Sequence, residues 1–178
     1  MNFRLPADTL AWRDELRAFL RAELPDGFEG DDDFFDSESD LPFAREFSRS
    51  LGARRWLAPG WPVEFGGLGR STIDQFVLHE ELAYHRAPAA GRLSTLGIVG
   101  PAILVHGSDE QKRRFLPGMA AGDTWFCQGF SEPGSGSDLA SLTTTAVRDG
   151  DTYVINGSKV WTSIAPVSKF GILIARTN

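Results

Sequence analysis

Apolar residues in the first two-thirds of the chain recur every three or four positions, which is the spacing of amphipathic helices. Trp12, Leu16, Phe19 and Leu20 form the first apolar stripe, and Asp8 stands where an N-cap residue is expected. The pattern therefore predicts a first helix that begins near Asp8.

Two further helices follow from the same spacing. Phe43, Phe47 and Leu51 share one face of a second helix, for which Asp40 is the expected cap. Ser71 is expected to begin the third helix. Between these two helices lies a loop rich in glycine, proline and aromatic residues.

The next apolar stretch, residues 96–106, is predicted to form a buried helix. Ser108 and Gln111 then have the spacing of a capping box, in which two side chains satisfy the free N–H groups of a helix start. A further helix is therefore expected to open at Ser108 and to extend through Phe115.

The pattern changes near Asp123, where β-branched and aromatic residues begin to dominate. The predicted strands occupy residues 124–131, 143–148, 152–155, 158–163 and 170–176. Asp149-Gly150 and Asn156-Gly157 are typical hairpin turns, so neighbouring strands are expected to run antiparallel.

These elements predict an α+β fold. We expect an N-terminal all-α helical domain at residues 1–122, followed at residues 123–178 by the start of an antiparallel β-barrel or sheet domain. The last predicted strand has no evident partner, and an exposed apolar edge strand promotes aggregation. Either another chain covers it or the sequence is the front part of a longer protein, and we favour the second.

Composition and charge restrict the classes of function. The 178 residues carry a net charge of −6, and eight acids between Asp26 and Asp40 account for it, since the remainder has 16 acids and 18 bases. An acidic run of this kind is typical of a solvated loop, and no basic stripe favours nucleic acid. One cysteine, no signal-peptide pattern and no apolar run of membrane-spanning length together predict a cytoplasmic protein.

Two segments carry the candidate chemistry. The first joins the strand around Phe126 to the glycine- and serine-rich bend at residues 131–138, whose small side chains and accessible N–H groups suit a phosphate. The second is residues 157–163. If it is a strand, Lys159, Trp161 and Ser163 lie on one face, where the indole can stack on a planar ring. A flavin dinucleotide would use both segments, although a plain strand connection and a core tryptophan are the simpler alternatives.

Other reactive residue types are predicted to be structural. His79, His85 and His106 do not have the spacing of a metal-binding motif, so no metal site is expected. Cys127 falls within a predicted strand and is best interpreted as a small buried apolar residue.

Three segments resemble the acyl-CoA dehydrogenase family. They are Gly60-Trp61-Pro62-Val63-Glu64-Phe65-Gly66-Gly67, Ser131-Glu132-Pro133-Gly134-Ser135-Gly136-Ser137-Asp138 and Gly157-Ser158-Lys159-Val160-Trp161-Thr162-Ser163. Their order and separation match the family, and the similarity extends over nearly the whole chain. One departure is Ser163-Ile164-Ala165, where the family usually has Thr-Asn-Gly.

The resemblance implies that FAD binds between the β-domain and a C-terminal helical domain that this chain lacks. The implied cofactor contacts are Gln128, Phe130, Ser131, Gly136, Ser137, Trp161, Thr162 and Ser163. The first three would contact the isoalloxazine ring, Gly136 and Ser137 the pyrophosphate, and Ser137 also the acyl-CoA. Trp161 would stack beside the flavin, and the hydroxyl of Ser163 would reach flavin N5.

The implied reaction is α,β-dehydrogenation of an acyl-CoA thioester to a trans-2-enoyl-CoA. The family's catalytic glutamate comes from the C-terminal domain, so no residue here is assigned as the base, and the chain alone is expected to be inactive. The implied partners are an electron-transfer flavoprotein or similar acceptor and further subunits of a homo- or hetero-oligomer. The alternatives are a non-catalytic partner subunit of a full-length homologue, and an acyl-CoA oxidase or flavin monooxygenase on the same scaffold.

Overall fold

The computed structural model describes residues 4–26, 28, 41–88 and 91–177. Within them, helices come first along the chain and strands follow. The helices are α1 (Ala7–Glu23), α2 (Leu41–Ala53), α3 (Thr72–Tyr84), a π-helix (Leu93–Val99), α4 (Gly100–His106) and α5 (Asp109–Ala120). The strands are β1 (Phe126–Gly129), β2 (Thr145–Asp149), β3 (Thr152–Asn156) and β4 (Phe170–Leu173). In the described part of the chain, no helix has both the length and the apolar character needed to cross a bilayer.

Two of the predicted helix starts are confirmed by their capping bonds. The Ser71 hydroxyl accepts a hydrogen bond from the Asp74 N–H, and Ser108 and Gln111 make the reciprocal pair of a capping box. The prediction for Asp8 is wrong. Helix α1 begins at Ala7 after Pro6, so Asp8 lies in the first turn and makes no cap. The predicted cap Asp40 lies outside the described residues.

The apolar stretch predicted as one helix is divided into a π-helix and α4. Gly100 donates its N–H to the carbonyl of Thr95, five residues back, which is the wide turn of a π-helix. Pro101 follows and has no N–H with which to continue the ladder. The stretch is also only partly buried: Val99 is 1 % exposed, whereas Val105 is 71 % exposed.

The two largest parts of the core are connected, because Leu96 packs against both, and a third, smaller part contains Ala44 and Trp125. The first packs the apolar stripe of α1, including Trp12 and Leu16, against Phe47 of α2 and Leu78 of α3. The second joins the helices to the strands. Its members are Ala58, Trp61, Val99, Leu116, Met119, Ala120 and Phe126.

The strands form two small two-stranded sheets. Strands β2 and β3 are antiparallel, and the register pairs Asp149 with Thr152. Gly150 therefore opens a two-residue loop, and its φ of +61° is the left-handed conformation that glycine adopts at the first position of such a turn. This hairpin matches the prediction.

The pairing of β1 with β4 differs from the antiparallel expectation, because these two strands are parallel. Strand β4 was predicted to lack a partner, which is wrong. Phe170 lies opposite Phe126, and both rings pack on Phe115 of α5, with ring centroids 5.2–5.5 Å apart. The α+β fold is thus confirmed, while the predicted domain limits at residues 122 and 123 stay a prediction.

Candidate functional site

Strand β1 is the base of the candidate site. It is fixed on the helices at its start, where the Phe126 N–H donates to the hydroxyl of Thr95 in the π-helix at 2.9 Å. The strand ends at Gly129, and the backbone then leaves the sheet through Phe130 and Ser131. These two residues therefore follow directly on a strand that the helices hold at its start.

The glycine- and serine-rich segment forms a tight bend. Glu132 and Ser135 exchange backbone hydrogen bonds of 2.6 and 3.1 Å, and the Ser135 hydroxyl donates to the Asp138 carbonyl at 2.8 Å. A Cβ placed on Gly134 or Gly136 would meet nothing within 4 Å, so the outer side of the bend is open. An open, small-residue bend leaves room for a phosphate, as the sequence predicts.

The carboxylate of Glu132 is surrounded by donors. Its Oε2 accepts from the N–H and the hydroxyl of Thr143, both at 2.7 Å, and its Oε1 accepts from the Thr144 N–H at 2.8 Å and Lys159 Nζ at 2.9 Å. Hydrogen bonds from Thr144, Lys159 and Thr143 hold the pKa of Glu132 well below its usual range. Glu132 is therefore ionised at neutral pH and holds the surrounding backbone in place.

The segment that carries Trp161 is not a strand, and this part of the prediction is wrong. Trp161 has a φ of +57°, in the left-handed region, which breaks the extended conformation. Lys159 and Trp161 therefore do not share a face: the Lys159 side chain is 11 % exposed, whereas Trp161 is 86 % exposed. Thr162 and Ser163 follow and are half-buried.

The two segments lie side by side. The Val160 N–H donates to the Ser131 carbonyl at 3.0 Å, so the exposed indole of Trp161 comes one residue after a direct link to the end of β1. Ser163 also stays close to this turn, because its N–H donates to the Trp161 carbonyl at 2.8 Å. The expected adjacency of the bend and the tryptophan segment is thus present, although it is built without a strand.

The predicted cofactor contacts therefore fall into three places. Gln128, Phe130 and Ser131 lie at the end of β1, Gly136 and Ser137 on the exposed side of the bend, and Trp161, Thr162 and Ser163 in the left-handed turn.

Three features fit a flavin dinucleotide. The indole of Trp161 is open for stacking, the bend is open for a phosphate, and the buried amide oxygen of Gln128 has no hydrogen-bond partner among the described residues. A buried acceptor without a donor is costly, so a donor on a bound molecule would stabilise it.

Two structural features of the candidate site could not be found from the sequence pattern alone. Lys159 was placed on the ring-facing side, yet it points inward and pairs with Glu132. Thr144 and Gly157 were not singled out, yet a Cβ on Gly157 would lie 2.7 Å from Thr144 Cα, so only glycine allows this close approach. The Asn156-Gly157 pair was the available signal, and it was interpreted only as a turn.

Two of the residues predicted to be structural, His85 and Cys127, contact neighbouring protein groups, although Cys127 is only partly buried and not buried as predicted. His85 Nε2 lies 3.8 Å from a carboxylate oxygen of the buried Glu81, and Cys127 Sγ lies 3.6 Å from the Phe170 carbonyl. Burial, followed by the charge of Arg92, lowers the pKa of His79. His79 lines a largely apolar cavity of about 320 Å³ beside α3 and the π-helix, which none of the predicted cofactor contacts lines.

The chain is similar over nearly its whole length to proteins of one family. The family described as "Acyl-CoA dehydrogenase, N-terminal domain" matches residues 6–123, and the one described as "Acyl-CoA dehydrogenase, middle domain" matches residues 127–178. Acyl-CoA dehydrogenase FadE26 of Mycobacterium tuberculosis is 52 % identical over 134 residues, which are 75 % of this chain and 33 % of that protein. Acyl-CoA dehydrogenase FadE29 of the same organism is 46 % identical over 77 % of this chain and 35 % of that protein.

Solved structures of similar fold agree with these sequence matches. The ChsE4-ChsE5 complex from Mycobacterium tuberculosis has a TM-score of 0.83 and 41 % identity, covering 100 % of this chain and 45 % of that chain. A structure titled "Tcur3481-Tcur3483 steroid ACAD" has a TM-score of 0.84 and 41 % identity, with the same coverage. This chain spans about a third of the length of the curated relatives that it matches. The chain belongs to the acyl-CoA dehydrogenase family.

Proposed function

We propose that this chain supplies the flavin-contacting part of an FAD-dependent acyl-CoA dehydrogenase, which converts an acyl-CoA thioester to a trans-2-enoyl-CoA. The observation that carries the proposal is the hydrogen bond of 3.0 Å from the Val160 N–H to the Ser131 carbonyl. It places an exposed indole beside the end of β1 and the open bend, which are the parts that a planar, phosphorylated cofactor needs.

Each group of residues has a distinct task in this proposal. Phe130, Ser131 and Gln128 contact the edge of the isoalloxazine ring, and the bend at Gly136 and Ser137 receives the pyrophosphate and the acyl-CoA. Trp161 stacks beside the ring, Thr162 lines the same turn, and the Ser163 hydroxyl donates a hydrogen bond at N5. The bound FAD supplies the two-electron acceptor for the hydrogen that leaves the β-carbon. The protein residues orient ring and thioester for this transfer.

The base that removes the α-proton is proposed to lie outside this chain. Glu132 is the carboxylate of the bend, but all four of its hydrogen bonds are made to protein donors and its pKa is low. A carboxylate in this state is a poor proton acceptor at neutral pH. A glutamate from a C-terminal helical domain, or from a second chain, would complete the site.

A second candidate is a non-catalytic subunit that assembles with a full-length homologue. Two-protein titles among the structural relatives, ChsE4-ChsE5 and Tcur3481-Tcur3483, favour a hetero-oligomer. Sequencing the DNA that follows the codon of Asn178 separates the two candidates. An open frame that continues into helices with a glutamate supports the fragment, and a stop codon beside an intact homologous gene supports the subunit. An electron-transfer flavoprotein is the proposed acceptor for the complete enzyme.

The test of the proposed function is a titration of the purified chain with FAD, followed by visible absorption. We expect a shifted and better resolved flavin band, weaker binding by Trp161→Ala, and unchanged binding by Tyr84→Ala. Tyr84 is a matched control because it is an exposed aromatic residue, 80 % exposed, on a helix away from the bend. No spectral change with the wild-type chain, or equal losses in both variants, would contradict the proposed cofactor site. Turnover of an acyl-CoA by this chain alone with a dye acceptor would contradict the placement of the base.

A further inference from the structure

One ion pair joins three separate parts of the candidate site. The carboxylate of Glu132 binds the backbone N–H groups of Thr143 and Thr144 at the entrance to β2, and it also binds the ammonium of Lys159. The pair is almost completely buried, with side-chain exposures of 4 % for Glu132 and 11 % for Lys159. The bend, the entrance to β2 and the segment before Trp161 are therefore tied together at one point.

Lys159 also binds the backbone beside the proposed ring contacts. Its Nζ donates to the Phe130 carbonyl at 3.0 Å, in addition to the 2.9 Å contact with Glu132 Oε1. To reach both acceptors its stem crosses Gly129, where a Cβ would lie 3.4 Å from Lys159 Cγ. The next residue, Val160, adds the backbone bond to Ser131, so two successive residues hold the same stretch of chain.

This geometry controls the part of the segment that is exposed. Trp161 follows Val160 directly and turns into the left-handed region, so the orientation of its indole depends on where residues 159 and 160 are held. Resting on the proposed function, we propose that Lys159 is a positioning residue for the flavin site. Its ammonium binds Glu132 and the Phe130 carbonyl, and these contacts keep Trp161 and Ser163 close to Phe130 and Ser131. Lys159 itself does not touch the reacting atoms.

The variants that test this proposal change the ion pair between Lys159 and Glu132 while keeping side chains of similar size. Lys159→Met keeps an apolar stem and removes the ammonium, Lys159→Arg keeps the charge, and Glu132→Gln removes the charge of the acceptor. Arg176→Met is the matched control, because Arg176 also fixes backbone carbonyls nearby, at Leu142 and Ala140, but does not contact the bend or Trp161.

The first measurement needs no cofactor. Amide hydrogen exchange at Val160, compared at equal global stability, reports whether the segment is held. Loss of a hydrogen-bonded charge predicts exchange about tenfold faster in Lys159→Met and Glu132→Gln. Exchange should stay near the wild-type rate in Lys159→Arg and in Arg176→Met. Unchanged exchange in Lys159→Met, or an equal increase in Arg176→Met, overturns the positioning role.

The second measurement uses FAD. We expect Lys159→Met to weaken FAD binding about tenfold and to blur the resolved flavin band. The double variant Lys159→Met/Glu132→Gln should lose little more than either single variant, because the two side chains act as one unit. Additive losses, or a wild-type flavin band in Lys159→Met, overturn the proposal.

Failure of this proposal can be told apart from failure of the proposed function. If the wild-type chain binds no FAD, the cofactor site is refuted, while the exchange rates still decide whether Lys159 holds Trp161. If FAD binds and Lys159→Met leaves both readouts unchanged, only the positioning role is refuted. If Lys159→Met fails to fold, the other two variants decide the question. Faster Val160 exchange in Glu132→Gln than in Lys159→Arg supports the positioning role, and equal exchange in the two variants refutes it.

Discussion

Replacement of Gly157 by alanine tests the packing on which the candidate site is built. A Cβ on Gly157 would lie 2.7 Å from both Cα and Cβ of Thr144, and nearer still to its hydroxyl oxygen. Because Thr144 Cα is a backbone atom, no change of rotamer relieves the clash, and the two segments must separate. Forced insertion of a carbon into a packed site costs about 1–3 kcal/mol.

Gly157 also has a positive φ, of +154°, so alanine there adds backbone strain to the clash, and two other glycines help to separate the two effects. Gly150 has a φ of +61° but open space around it, so alanine there pays about 1 kcal/mol for the left-handed conformation. Gly134 has neither a positive φ nor a neighbour within 4 Å, so alanine there is expected to be near neutral. The expected loss of unfolding free energy is about 3 kcal/mol for Gly157→Ala, at the upper end of the packing cost.

Urea unfolding followed by far-UV circular dichroism measures all three variants against the wild type. The midpoints can be compared if the unfolding free energy falls with urea concentration at the same slope in all four proteins. The ion pair of the candidate site should weaken as well. The Thr144 N–H donates to Glu132, so displacement of Thr144 moves the carboxylate that binds Lys159. A midpoint for Gly157→Ala that matches that of Gly150→Ala would refute the argument from close packing.

Three further outcomes are expected. Trp161→Ala should weaken FAD binding by about 1 kcal/mol, or roughly fivefold, through lost stacking, and an unchanged affinity in the titration would count against it. Leu16→Ala, at a fully buried position, should lower the unfolding free energy by about 3 kcal/mol in urea, whereas Leu10→Ala, at a position 36 % exposed, should lose less than about 1 kcal/mol. Stability should fall as pH drops below about 6.5 and again below about 4.5. The pKa values of His79 and Glu132 are both lowered by folding, so the unfolded chain takes up protons first. His79→Asn should remove the first decline in thermal midpoint, and a decline that persists in this variant would contradict its assignment. Glu132→Gln should reduce the second decline without removing it, because folding also lowers the pKa of Asp74, and an undiminished decline would contradict the role of Glu132.

The helical part of the fold could be predicted because its signals are local. The stripe of α1, the Ser71 cap and the Ser108–Gln111 box each depend on residues within one or two turns of each other. Asp8 failed as a cap because Pro6 already stands at the N-cap position and the helix begins at Ala7, one residue before Asp8. Sequence spacing alone could not distinguish these two starts.

The parallel pairing of β1 with β4 could not be predicted in this way. Hairpin signals describe neighbours in sequence, such as β2 and β3, whereas β1 and β4 are separated by the whole hairpin and the Trp161 segment. Their alignment is set by Phe126 and Phe170 packing on Phe115, a contact between distant residues. Local pattern carries no information about it.

The left-handed turn at Trp161, which the sequence pattern did not predict, explains how one short segment holds both a buried charge and an exposed ring. In a strand, Lys159 and Trp161 would share a face, so a buried ammonium would require a buried indole. The left-handed turn at Trp161 removes this link, since Lys159 can enter the interior to meet Glu132 while the indole two residues later stays in solvent. The burial of the Lys159 ammonium and the exposure of the Trp161 ring thus depend on the same turn of the backbone. For this reason the exchange of Val160, which lies between them, is the measurement most sensitive to whether the site is assembled.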